Sequence, residues 1–169
     1  MKFLSFAFTG LFLLFAFAAI TQDFDVPAMS PSTKDEFVKS EKDFIDAAKW
    51  LEGTSIGKQP DKRKKMNAWV VQWMVNSPTV SIEINASISK LFDKNPDLLI
   101  VFMAGYGRYC LENNYSKDVL QGHMAGIRSA INCYNLGGNT KKDKGLSKVI
   151  EAEKEGKLED WVKELMNSK

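Results

Sequence analysis

Leu98-Leu99-Ile100-Val101-Phe102-Met103-Ala104-Gly105-Tyr106 carries no charge on any side. A helix made from such a run is apolar around its whole circumference, and a helix of that kind is enclosed by others instead of lying on a surface. Pro96 stands where a helix opens, behind Asn95 as N-cap. The reading is a central helix over 96–113. Its partner is 117–135, where Gly122, Ala125, Gly126 and Ser129 fall along one side. In an antiparallel hairpin turning near Tyr115, Gly105 comes opposite Ala125 and the two backbones approach closely.

The rest of the chain supplies the enclosing helices. Thr33 and Glu36 form a capping-box pattern, and Phe37, Phe44, Ala48 and Leu51 recur on one face until Gly53 stops the helix. Pro60, Pro78 and Pro96 are evenly spaced, each placed at a first helical position behind Gln59, Ser77 or Asn95. Apolar residues fall at matching offsets: Met66, Ile84 and Phe102, then Trp73, Leu91 and Tyr109. This admits helix-hairpin repeats, or merely a row of similar amphipathic helices. Thr79–Asn85 (TVSIEIN) alternates like a strand. No second such run exists to pair with it, and a lone strand leaves its backbone unsatisfied, so a helix opened by Ser77-Pro78 is expected. After Leu136-Gly137-Gly138 and a Lys-rich loop, Gly156 separates two amphipathic helices, the last presenting Leu158, Trp161, Val162 and Leu165. The expectation is all-α: a compact bundle or short helical-hairpin array of six to seven helices around the buried helix 96–113.

Lys2 and the uncharged run Phe3–Ile20, with Ala16-Phe17-Ala18 at its end, have the layout of a secretory signal cleaved near Ala18. The run also meets the minimum length of an uncleaved anchor. The expected organisation is a signal at 1–18, a flexible tether at 19–33 and a single helical domain at 34–169. The 23 basic and 21 acidic residues nearly balance, and loss of Lys2 takes the formal charge from +2 to +1. Such a balance gives no global field to attract nucleic acid. Cys110 and Cys133 are the two cysteines. In the hairpin register they lie on the order of 20 Å apart at 1.5 Å per residue, so two buried thiols are expected and not a disulfide.

Chemistry-bearing patterns are few. His123 is the single histidine, four residues from both Val119 and Ile127 on the edge of an apolar face, and is expected to be structural. No His/Cys cluster has metal-ligand spacing, and no nucleophile turn, phosphate loop or HExxH is present. Neither a cofactor nor a metal is implied. Glu83 and Glu112 are candidate carboxylates, without a feature that separates them from the other acids. Lys58, Lys62, Arg63, Lys64 and Lys65 form the one local charge run. It reads as a hydrated helix start or as a dock for anionic lipid, polysaccharide or nucleic acid, since cations oppose the dipole in a first turn. Met66, Trp69, Trp73 and Met74 form a stripe that reads as core. Asn85-Ala86-Ser87 and Asn114-Tyr115-Ser116 match the glycosylation sequon.

Ser77-Pro78-Thr79-Val80, Lys94-Asn95-Pro96 into Phe102-Met103, Tyr109-x-Leu111-Glu112-Asn113, Ala125-Gly126-Ile127 and Gly156-Lys157-Leu158-Glu159-Asp160-Trp161 together resemble a group of uncharacterised exported bacterial proteins, over about 100 residues from Asn67. The resemblance implies export and a helical fold, and carries no reaction. The expected function is therefore a non-enzymatic protein of the periplasm or cell exterior that binds or scaffolds a protein partner. The alternatives are a small enzyme using carboxylates with His123 or Tyr106, and a binder of the envelope surface through Lys62–Lys65.

Overall fold

A computed structural model describes residues 24–28 and 31–167. The expected signal at 1–18 lies outside the described residues, as do 19–23, 29 and 30 of the expected tether. Among the described residues there are eight helices and no strand: α1 Lys34–Lys39, α2 Glu41–Gly53, α3 Pro60–Asn76, α4 Ala86–Lys90, α5 Pro96–Glu112, α6 Val119–Asn135, α7 Lys144–Lys154 and α8 Leu158–Asn167. One isolated bridge ties Ile56 to Gly138. No described helix is long and apolar enough to cross a membrane.

The uncharged run forms the middle of α5 and is the hub of the fold. Leu98, Val101, Phe102 and Ala104 are wholly buried there, and α5 packs against α6, α2 and α3. Close approach of α5 and α6 depends on glycine at both sides of the seam. A Cβ on Gly126 would stand 2.6 Å from the Phe102 carbonyl oxygen, and one on Gly105 would run into the Ser129 side chain beside Ala125. On the opposite flank Phe44 of α2 stacks on Trp73 of α3 at 4.2 Å between centroids, with Phe37 edge-on at 5.8 Å. Met66, Trp69 and Trp73 are buried, so most of that stripe is core.

Three local expectations are corrected. The helix from Thr33 begins with the capping box read from sequence, but it breaks at Ser40. The Ser40 hydroxyl donates to the Phe37 carbonyl at 3.0 Å and accepts the Trp73 indole N–H at 2.8 Å, drawing the chain inward between α1 and α2. Pro78 opens no helix. Ser77 Oγ instead accepts from the Thr79 and Val80 N–H groups, a turn that ends α3. Residues 79–85 then run without helix to Asn85, which caps α4 by accepting from Ile88 N–H at 2.8 Å. Val80 is buried while Ser81, Glu83 and Ile84 are exposed, so water reaches this backbone and no partner strand is required. The even proline spacing is therefore not a structural repeat, because its middle member begins an extended segment. Finally, Asn95 precedes α5 without capping it. Its side chain grips Lys141 instead, donating to the carbonyl at 3.0 Å and accepting the N–H at 2.7 Å.

Cys110 and Cys133 are free and buried. Within the expected tether, Phe24 and Val26 lie partly buried against the core and Asp25 pairs with Lys62.

Candidate functional site

The basic run does not present five cations to solvent. Lys58, Lys64 and Lys65 are exposed. Lys62 lies along Trp50, its Nζ 5.4 Å from the ring centroid and 3.5 Å from Asp25 Oδ1. Arg63 is 4% exposed and belongs to the interior, so it is not part of an anion-binding surface. Its Nη2 donates to the carbonyls of Leu51 and Thr54, and its guanidinium lies over the Trp50 ring at 5.5 Å. It thus caps the C-terminus of α2, where carbonyls lack intrahelical partners and the dipole favours a cation. Nε and Nη1 make no hydrogen bond with any described residue, nor does Asn67 Oδ1 one turn further on. Burial pushes the Arg63 guanidinium below its ordinary range, against the opposing pull of Cys133 and Asp97. Burial likewise pushes the Cys133 thiol up, with Arg63 acting the other way.

A polar lock joins three helices. Glu52 of α2 accepts from Ser129 Oγ at 2.9 Å and Asn132 Nδ2 at 2.7 Å of α6, and pairs with Arg108 Nη1 of α5 at 2.8 Å. Arg108 reaches Glu112 at 3.6 Å, and Lys49 meets Glu112 at 3.0 Å. Glu112, a candidate carboxylate, thus serves helix packing. The three groups around Glu52, Ser129, Asn132 and Arg108, come from distant parts of the chain, so no local spacing announces them.

His123 lines a cleft of about 350 Å³ together with Glu83, Ile84, Asn85, Val119 and Met166. The residue is 3% exposed, with its ring 5.3 Å from Tyr106 and 5.8 Å from Phe102. Nδ1 lies 2.7 Å from the Val119 carbonyl. A carbonyl only accepts, so Nδ1 is the donor, and in the tautomer this selects for a neutral imidazole Nε2 carries the lone pair. Nε2 makes no hydrogen bond with any described residue. Asn85 closes one wall: Nδ2 donates to Leu165 and Met166 carbonyls at 3.1 and 3.2 Å, and Oδ1 is the α4 cap. That engagement takes the Asn85 sequon out of reach of modification, whereas Asn114 of the other sequon is exposed at φ 54°. Tyr106 packs edge-on against the His123 ring. Burial pushes the Tyr106 pKa up to about 12, with Cys110 and Glu83 adding to the rise. Sequence placed His123 on an apolar edge and named Glu83 as a candidate carboxylate without a feature to separate it from the other acids. Met166 and the carbonyl end of α8 were not legible beside them, being far along the chain.

A third region lies where α1, α2 and α3 converge. Tyr115 Oη donates to Glu41 Oε2 at 3.1 Å and Thr79 Oγ1 to Oε1 at 3.3 Å. Tyr115 is 45% exposed, and on the adjoining helices Val75 of α3, four residues before Thr79, is 78% exposed and Val38 of α1, three before Glu41, is 44% exposed. No group of three or more His, Cys, Asp or Glu suited to a metal occurs among the described residues.

What these features define as a class is an all-α domain with a buried central helix. Comparison with protein-family models, curated proteins and solved structures returns no match.

Proposed function

We infer that this chain is an exported, non-enzymatic binding or scaffolding protein that meets an apolar face of a protein partner through the end carrying Val38, Val75 and Tyr115. The observation that carries the reading is the exposure of three large apolar side chains, Val38, Val75 and Tyr115, on segments that the Glu41 carboxylate ties together through Thr79 and Tyr115. Single exposed apolar residues are ordinary, but a group of them rimmed by polar groups is what a binding face presents. Glu41 is held by two hydroxyls, so the face has a fixed polar centre and costs little to order on association. Export is supported by Lys2, the run Phe3–Ile20 and the small residues at its end.

The test is site-specific photo-crosslinking in intact cells, with a photoreactive amino acid in place of Val75 in the whole chain. A discrete heavier adduct that contains a second protein is expected. Crosslinking from Lys64 or Lys65 but not from position 75 would instead favour an envelope-surface binder, and the reading would fail.

A further inference from the structure

We propose that the His123 cleft is a binding site for a primary ammonium group on a short alkyl chain. The cleft is built from acceptors and apolar walls. His123 Nε2 offers a lone pair whose direction is fixed by the Nδ1–H bond to the Val119 carbonyl at 2.7 Å, and the residue is 97% enclosed, since its exposure is 3%. Glu83 brings a carboxylate to the same cleft. Met166 lies in the last turn of α8, whose carbonyl end is the negative pole of that helix. The Asn85 amide, the one side-chain N–H donor among the lining residues apart from His123, is held by Leu165, Met166 and Ile88. The N-terminus of α6 adjoins the cleft at Val119 and would repel a cation, but Asp118 stands at that end with its carboxylate on the Gln121 N–H at 3.0 Å.

An ammonium group supplies three donors and no acceptor, which suits a lone pair and a carboxylate beside the negative pole of α8, whose Leu165 and Met166 carbonyls also hold the Asn85 amide. Ile84, Val119 and Met166 provide a surface for an alkyl body. A volume of about 350 Å³ is at the small end of ligand sites and suits a chain of a few carbons. An anion would face Glu83, and the Asn85 amide is already engaged by the Leu165 and Met166 carbonyls. A free amine and the side chain of a lysine share this chemistry. This site is independent of the partner face at Val75.

Because His123 is the only histidine, its imidazole gives a single set of NMR signals in the whole chain. Titration at about pH 8, above the ordinary imidazole range, with n-butylammonium should shift those signals saturably. n-Butanol, of the same body without charge, should not. Glu83→Gln, a change at an exposed position, should weaken the affinity about tenfold, and His123→Gln should weaken n-butylammonium binding, read from the Met166 methyl signal, by a similar factor. Nα-acetyl-lysine amide as a second arm separates the sources. Saturation by both probes supports a site open to a partner's lysine, and saturation by n-butylammonium alone supports a site for free amines. No saturable shift with either amine, equal shifts with n-butanol, or an unchanged affinity in Glu83→Gln would overturn the proposal.

Discussion

A buried guanidinium costs several kcal/mol unless its N–H groups meet acceptors, and Arg63 meets two, at the Leu51 and Thr54 carbonyls. Arg63→Met should therefore lower stability to denaturant by about 2–3 kcal/mol, because it strands the end of α2. Lys64→Glu and Lys65→Glu, at exposed positions, should stay within about 0.5 kcal/mol. Equal effects at all three would refute the capping role. Gly126→Ala forces a Cβ onto the Phe102 carbonyl oxygen, which is backbone and yields little. A loss of about 2–3 kcal/mol is expected from urea unfolding. The glycine seam was legible, since small residues at helical spacing opposite Gly105 have few other uses. Arg63 was read as surface because it stands among lysines, although Arg63, Met66, Val70 and Trp73 share one helical face and all four are buried. Periodicity could have separated it from Lys64 and Lys65; composition could not.

Among the elements, the stretch from Ser77 to Asn85 decides where sequence reasoning stopped. Ser-Pro is compatible with a helix start and with a turn, and Val80, Ile84 and Ile88 suit a helix as well as Val80 and Ile82 suit an extended segment. What settles it is tertiary. Ser77 Oγ binds Thr79 and Val80 N–H groups, and Asn85 serves both as cap of α4 and as a double donor to the end of α8. Those α8 bonds cross about half the chain, so no window of residues contains them. Asn85→Ala should cost about 1–2 kcal/mol through the lost cap. It should also speed amide exchange in the last turns of α8 while leaving α3 unchanged. Exchange rates in α8 equal to those of the unsubstituted protein would show that the contact fastens nothing. The helices that were legible, α3, α5, α6, α7 and α8, each bury a continuous apolar face.

For the whole molecule, burial of weak acids gives stability a pH limit on the alkaline side. Tyr106 rises from 10.0 to about 12, and the Cys110 and Cys133 thiols rise above 9.0, each chiefly by burial. A raised folded-state value means that the unfolded chain gives up its proton first. The stabilisation is thus full below the unfolded value and is lost as pH climbs, for Tyr106 between about 10 and about 12. The tyrosine share is on the order of 2 kcal/mol. Urea unfolding measured across that window should show the decline, and Tyr106→Phe should remove its upper part. A decline identical in Tyr106→Phe would place the lost stability elsewhere.

The same molecule-wide arrangement puts its internal polar groups to work on packing, with Glu52, Asn85, Asn95 and Arg63 joining elements, while Val38, Val75 and Tyr115 are exposed. The most direct measurement is retention of envelope proteins on the immobilised whole chain. The unsubstituted protein is compared with Val38→Glu/Val75→Glu and with Lys64→Glu/Lys65→Glu, all checked for native helicity. The account predicts one partner band that is lost at least about tenfold in the valine pair and kept in the lysine pair. Retention lost in the lysine pair and kept in the valine pair would contradict it.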